Sequence, residues 1–255
     1  MKVVKIKNTA IGEGMTKICV SLVAPSDSDL MLQIYKIKKS CADLVEFRAD
    51  FYEHCFDREK LSGALTMLQR EIPDMPVIFT FRTRSEGGEM DATNMQYRDL
   101  LLYVIENNLA DLIDIEYFMG KELVQELVEK AHEKGCYVIL SNHDFKTTIP
   151  MERIVDRYKQ MIEAGADIAK IAMMPENGSQ VVDMMQAAKE LQESGNETPL
   201  IVISMGEMGV ETRTTGEMYG NCISFGTAGI PSAPGQIEAS ALKEQLEMIH
   251  NIIQA

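Results

Sequence analysis

Short apolar runs alternate with longer amphipathic stretches from one end of the chain to the other. The runs predict strands near 16–21, 43–48, 76–82, 111–116, 136–142, 167–172, 199–205 and 222–226. Between them the apolar period lengthens to that of a helix. Those stretches cover 27–40, 58–71, 94–108, 120–134, 151–165, 178–194 and 236–253, with a shorter one near 208–218. Strands alternating with helices in this way imply a parallel sheet with crossover connections. A weak internal echo opens three of the strands: Ala42-Asp43-Leu44-Val45, Ala110-Asp111-Leu112-Ile113 and Ala166-Asp167-Ile168-Ala169. With eight strands, the echo favours a closed α/β architecture, the (β/α)8 TIM barrel, over an open sheet. The first dozen residues precede the first strand and are candidates for a hairpin closing the barrel bottom. No linker or low-complexity segment intervenes, so residues 1–255 read as a single (β/α)8 barrel domain.

Strand parity then sorts the polar residues. Side chains alternate across a strand, and the outer face of a barrel is apolar because helices cover it. Val45 and Phe47, Val77 and Phe79, Ile113 and Ile115, and Val138 and Leu140 take that outer face. The opposite parity holds Glu46, Arg48, Arg82, Asp114, Glu116, His143 and Lys170, mostly toward the C-terminal strand ends. Active sites of such barrels lie at those ends. Seven ionisable groups converging there are costly unless they serve chemistry or close into one network. Asp114 and Glu116 are the candidates for structural partners that hold the cations.

Lys170 stands out among them. It lies in Ala166-Asp167-Ile168-Ala169-Lys170-Ile171-Ala172-Met173-Met174-Pro175, a run that reads as a strand buried on both faces. A lysine there either pairs with a carboxylate or is pushed toward the neutral amine, a nucleophile for a carbonyl. His143, in Ser141-Asn142-His143-Asp144-Phe145, ends the preceding strand and suits proton shuttling beside that amine. Glu86, in the loop after the third strand, can reach back to orient the imidazole. The other histidines, His54, His132 and His250, fall in helical or loop patterns and read as solvated. The methionines, Met205 among them, read as core filler on composition alone. The loop after the eighth strand, Gly226 to Gln236, is rich in glycine and proline and reads equally as a plain connection or a lid.

Bulk properties narrow the partners. A net charge of −14 argues against nucleic acid or an anionic membrane, and makes any anion site a local positive patch. No apolar run is long enough to span a bilayer, and the N-terminus is too polar for a signal peptide. Five cysteines without paired spacing do not form a disulfide framework or a zinc site, and point to a reducing, cytoplasmic compartment. Cys19, Cys136 and Cys222 lie in or beside apolar runs and read as small buried hydrophobes. There is no metal-ligand spacing and no glycine-rich nucleotide motif.

At these residues the chain resembles the type I 3-dehydroquinate dehydratases, Schiff-base enzymes of the shikimate pathway. The resemblance rests on Glu46-Phe47-Arg48-Ala49-Asp50, on Thr80-Phe81-Arg82-Thr83 with Glu86-Gly87-Gly88, and on Ser141-Asn142-His143-Asp144-Phe145. Lys170-Ile171-Ala172 with Met174-Pro175, Met208-Gly209 leading to Arg213, and Ser232-Ala233-Pro234-Gly235-Gln236 complete it. Phe47 and Thr212 depart from the family's common tryptophan and serine, and residues 227–231 are atypical.

The resemblance implies a metal-free, cofactor-free syn elimination of water from 3-dehydroquinate. Lys170 would form the imine, His143 would shuttle the proton, and Glu86 would orient His143. Arg213 would hold the substrate carboxylate. Ser21, Glu46, Arg48, Arg82, Met205, Phe225, Ser232, Ala233 and Gln236 would complete the substrate-binding set. It also implies a homodimer. Two other readings stand beside it: a class I Schiff-base aldolase, and a non-catalytic metabolite-binding barrel.

Overall fold

The computed structural model describes residues 2–255. Its frame is an eight-stranded parallel sheet that curls almost into a closed barrel, with helices outside. The barrel strands are β3 (Lys17–Leu22), β4 (Leu44–Arg48), β5 (Val77–Thr80), β6 (Leu112–Glu116), β7 (Tyr137–Asp144), β8 (Ile168–Met173), β9 (Leu200–Ser204) and β10 (Ile223–Gly226). Each pairs in parallel with the next from β3 to β9, and β10 pairs with β3. The last seam, between β9 and β10, is narrower. It is carried by a bridge between Leu200 and Asn221 and by the Cys222 N–H donating to the Leu200 carbonyl at 2.9 Å.

The helices are α1 (Asp27–Lys39), α2 (Arg58–Glu71), α3 (Asn94–Glu106), α4 (Lys121–Glu133), α5 (Met151–Glu163), α6 (Gly178–Glu193), α7 (Val210–Thr214) and α8 (Ala239–Gln254). Their starts follow local chemistry. Ser26, Asp57 and Asn177 accept from N–H groups of the first turns of α1, α2 and α6, and Thr93 and Gln96 form a capping box on α3. Each long helix buries one stripe. On α5 that stripe is Ile154, Val155, Tyr158 and Met161, which packs into the layer containing Val138 and Leu140 of β7.

The N-terminal residues do form a hairpin, β1 (Val4–Ile6) and β2 (Thr9–Ile11), paired antiparallel. Val4, Ile6 and Ile11 are buried with the lowest inward layer of the barrel: Cys19, Leu44, Ile78, Leu112, Ile139, Ile168, Ile201 and Ile223. The barrel is therefore plugged with hydrocarbon at its N-terminal end.

The internal echo has a physical basis. Asp43 accepts from the Ile18 N–H of β3 at 2.8 Å, Asp111 from Val77 of β5 at 2.8 Å, and Asp167 from Val138 of β7 at 3.0 Å. The aspartate just before β4, β6 and β8 thus latches the start of the strand before it. Asn221 does the same to Val202 of β9 at 3.1 Å, as a fourth, neutral member.

Two expectations need correction. The stretch near 208–218 is not one helix but α7, five residues long, between two 3-10 turns, Glu207–Gly209 and Gly216–Tyr219. Gly209 sits so close to the chain behind it that a Cβ would lie 1.9 Å from the Ser204 carbonyl oxygen, which sets a turn where a helix would need a straight run. His250 is also not a free solvated group: its Nδ1 lies 2.6 Å from Glu217, half-buried.

Candidate active site

Above the hydrocarbon plug, the inward layers become polar. The first holds Ser21, Glu46, Thr80, Asp114, Ser141 and Lys170, and the next holds Arg48, Arg82, Glu116 and His143; apart from half-buried His143, all are buried. Register sets the neighbours. Ser141 stands opposite Lys170 and His143 opposite Ala172 across β7 and β8, so the imidazole lies one layer above the amine.

Lys170 is both buried and paired, which joins the two readings of its strand in one side chain. Its Nζ lies 3.3 Å from Asp114 and 3.6 Å from Glu46, and 4.4 Å from the centre of the Phe225 ring. Ser21 and Thr80 donate to the two oxygens of Glu46 at 2.7 and 3.0 Å. Asp114 also takes Arg82 at 2.8 Å and Ser141 at 2.6 Å. Burial pushes the Asp114 carboxyl up, but Arg82 and Lys170 outweigh it and hold the group below the usual range.

Two of the arginines are held by carboxylates. Arg82 binds Asp114, Glu116 at 3.0 Å and Ser141 at 3.1 Å. Arg48 forks onto Asp50 at 2.8 and 2.7 Å, and its third contact is the Ser232 carbonyl at 3.3 Å. Arg213 is different. It is 2% exposed, and its Nη groups donate only to the carbonyls of Phe225 and Pro234, at 3.2 and 3.1 Å. Its buried Nε has no partner, and no carboxylate among the described residues forms an ion pair with it. Burial lowers its pKa to about 10. An unpaired guanidinium on a cavity wall is a site prepared for an anion.

His143 and Glu86 form the second pair. Glu86 accepts from the His143 backbone N–H at 2.9 Å and lies 3.0 Å from its Nδ1. Burial, aided by the charges of Arg82, Lys170 and Arg48, pushes the His143 pKa well below its ordinary value. Burial likewise raises Glu86 to about 7, against the pull of Arg82. Above about pH 7 these directions describe a neutral imidazole donating Nδ1–H to a carboxylate, not an ion pair. Nε2 is then left as an acceptor of protons.

The loop after β10 closes over the mouth. Gln236 accepts from the Ser232 N–H at 2.8 Å and donates to the Ser232 hydroxyl at 3.0 Å. Gly206 donates to the Pro234 carbonyl at 3.3 Å. Gly235 has φ +79°, and a Cβ there would lie 2.4 Å from the Gly206 oxygen, so only glycine fits the docked loop.

The sequence model of the family described as "Type I 3-dehydroquinase" matches residues 18–253. The chain belongs to the type I 3-dehydroquinase family. Among relatives in the family, the 3-dehydroquinate dehydratase of Clostridium novyi (strain NT) is 39% identical over 253 residues, covering 99% of this chain and all of that protein. The enzyme of Bacillus licheniformis is 41% identical over 249 residues, covering 98% of both. A solved structure of type I 3-dehydroquinate dehydratase from Clostridium difficile, which carries covalently modified comenic acid, superposes with a TM-score of 0.95 at 39% identity, covering 98% of each chain. A 3-hexulose-6-phosphate synthase from Salmonella typhimurium, 15% identical with a TM-score of 0.57, shares the barrel fold alone.

Set against the family resemblance, the expected residues fall into two groups. One cavity is lined by Lys170, His143, Glu86, Glu46, Arg48, Arg82, Met205, Arg213, Phe225, Ser232, Ala233 and Gln236. Ser21 does not reach it, and lies beneath Glu46. Sequence reasoning missed Ala172 and Ile203, apolar wall residues with no chemical signal, and Phe145, whose ring lies over Gly87 where a Cβ would come within 2.2 Å. It also passed over Asn142, which bonds Glu86 from the outward side of β7. Within the described residues, no group of three or more His, Cys, Asp or Glu is arranged to hold a metal ion, and no helix is long and apolar enough to cross a membrane.

Proposed function

We propose that this family member converts 3-dehydroquinate to 3-dehydroshikimate through an imine on Lys170. One observation carries the reading: a buried amine and an imidazole from adjacent strands share one cavity with an arginine that has no carboxylate partner among the described residues. Arg213 takes the substrate carboxylate. The Lys170 amine adds to the ketone carbon and water leaves, forming an iminium. Asp114 and Glu46 lie within 3.3–3.6 Å and are the acceptors at hand for the proton that the ammonium must give up. The iminium draws electrons from the adjacent C–H bond, so a modest base suffices. His143 Nε2 takes that proton, leaving an enamine, and returns it to the departing hydroxyl on the same face. Hydrolysis then frees the enone and Lys170. The covalently modified comenic acid in the Clostridium difficile relative is in keeping with a nucleophile in such a site.

The chain in this reading is one catalytic barrel over residues 1–255, working as a homodimer in the cytoplasm. Incubation with 3-dehydroquinate should produce the ultraviolet absorbance of a conjugated enone. Borohydride added during turnover should leave a stable adduct on the peptide containing Lys170. Turnover with the adduct on another lysine, or with none, would overturn the assignment.

A further inference from the structure

On β7, Val138, Leu140 and Asn142 share the outward parity. Val138 and Leu140 are hydrocarbon packed under the helices, whereas Asn142 is an amide that is 5% exposed. A buried amide on that face is costly unless both its ends are bonded. Both are, and to groups of very different kinds. Asn142 Oδ1 accepts from Arg157 of α5 at 2.6 Å. Asn142 Nδ2 donates to Glu86 Oε1 at 3.1 Å. Arg157 in turn lies under the Phe118 ring, 4.9 Å from its centre.

The chemistry of the partners removes any ambiguity about the amide. Arginine only donates, so the oxygen must face Arg157 and the N–H2 must face Glu86. The amide therefore always offers Glu86 a hydrogen bond that favours its ionised form. We propose that Asn142 and Arg157 form a positioning unit that favours the carboxylate form of Glu86 and so holds His143 in the Nδ1–H tautomer. The role in turnover rests on the reading of His143 as proton shuttle. Neither residue lines the cavity, so neither contacts substrate.

The other groups facing this carboxylate leave the amide a task. Arg82, at the end of β5, is 3.5 Å away but is already bound more closely by Asp114 and Glu116. Glu116, from β6, opposes ionisation of Glu86, and burial opposes it more. His143 supplies its backbone N–H and its ring from β7. Lys170 of β8 and Arg48 of β4 act on the imidazole. Arg82 gives the largest pull toward the ionised form, and on the helix side Asn142 adds its hydrogen bond, with Arg157 holding the amide in place. Losing that hydrogen bond should raise the pH at which Glu86 protonates.

The test compares Asn142→Leu, Asn142→Asp and Arg157→Met with the unaltered chain. Each is expected to lower kcat on 3-dehydroquinate, by roughly tenfold for Asn142→Leu, the usual effect of losing one hydrogen bond to a charged group. KM should hold within about twofold, since the amide touches no substrate. The acid limb of the kcat profile should move to higher pH by about one unit, the same tenfold read as a proton equilibrium. Asn142→Asp should move it further by setting a second carboxylate against Glu86. Arg157→Met should move it less, because the freed amide still spends part of its time with N–H2 toward Glu86.

In a Glu86→Gln background, where that limb is expected to be gone, adding Asn142→Leu should leave the profile unchanged. The His143 ring resonances of histidine-labelled protein report the same titration without turnover. An unmoved limb and unmoved resonances in Asn142→Leu and Asn142→Asp would overturn the inference; if Asn142→Leu fails to fold, the near-isosteric Asn142→Asp and Arg157→Met decide it. Failure of the unaltered chain to dehydrate 3-dehydroquinate would instead strike the proposed function, leaving the resonance test of the carboxylate intact.

Discussion

At the scale of single residues, the site separates groups by what surrounds them. Lys170 and His143 come from the same parity pattern, but the amine lies between two carboxylates while the imidazole rests on one carboxylate with the charges of Arg82, Lys170 and Arg48 around it. The elimination needs a base and then an acid on one face, and the imidazole can serve as both. His143→Ala should therefore let the imine form and stall the steps after it. The covalent intermediate should accumulate and be seen by intact-protein mass spectrometry without reductant. The loss in kcat should be at least about 10²–10⁴-fold, the usual worth of a general base. A variant with near-normal kcat would move the search for the base to Glu46 or Glu86.

The titration of the pair has a definite sign. Burial holds His143 far below its ordinary pKa, so the imidazole stays neutral across the working range. Glu86 is raised to about 7, and its carboxylate is the form that accepts Nδ1–H. Activity should thus fall as pH drops through about 7, and Glu86, not His143, should set that limb. Glu86→Gln keeps an acceptor for Nδ1–H but cannot titrate. Its kcat should be lower than that of the unaltered chain and higher than that of His143→Ala, with a flat profile between about pH 6 and 8. A limb that survives Glu86→Gln would assign the titration elsewhere.

At the scale of elements, the positions of strands and helices were legible because apolar runs of five or six residues between amphipathic stretches have few other readings. Strand ends were not. The third strand stops at Thr80, because Arg82 and Thr83 turn to bind Asp50 and Glu116 through their backbone N–H groups. The fifth runs on to Asp144, because β8 continues to pair with it. Parity located the inward charges, since alternation survives whatever the partners are. It could not say that Arg48 and Arg82 are satisfied while Arg213 is not, for that depends on Asp50, Asp114 and Glu116 meeting them in space. Asn142 was invisible for the same reason: outward parity reads as packing until Glu86 is seen behind it.

The loop from Thr227 to Glu238 yields a prediction at this scale. It docks through the Gly206–Pro234 hydrogen bond and a glycine pressed against backbone. Gly235→Val places a branched Cβ at φ +79°, 2.4 Å from the Gly206 oxygen, so the loop cannot seat. Pro234 supplies one of the carbonyls that orient Arg213, and Ser232 one that holds Arg48. KM for 3-dehydroquinate should rise clearly, while the far-ultraviolet circular dichroism stays that of the unaltered chain. Unchanged KM would show that the loop contributes no binding.

At the scale of the whole molecule, the barrel is divided along its axis. Its lower end is hydrocarbon, plugged by the hairpin, and its upper end is a desolvated polar network in which Arg213 pairs with no carboxylate among the described residues. Stability and activity should separate along the same axis. Ile11 is fully buried in the plug, and truncating a buried aliphatic to alanine typically costs about 2–5 kcal/mol. Ile11→Ala should lower the midpoint of thermal unfolding by several degrees and leave kcat and KM at ordinary temperature unchanged. Arg213 is the opposite case. The fold bears a buried guanidinium with an orphaned Nε, which is unfavourable until a carboxylate arrives. Arg213→Met keeps most of the stem and removes the charge. The empty protein should be as stable as the unaltered chain or more so, while KM rises by far more than kcat falls. Addition of 3-dehydroquinate or a carboxylate analogue should raise the melting midpoint of the unaltered chain and of Ile11→Ala, but not of Arg213→Met at the same concentration. A melting midpoint for Arg213→Met as low as that of Ile11→Ala would mean that the arginine is a structural strut, and the substrate carboxylate would have to be sought at another cation.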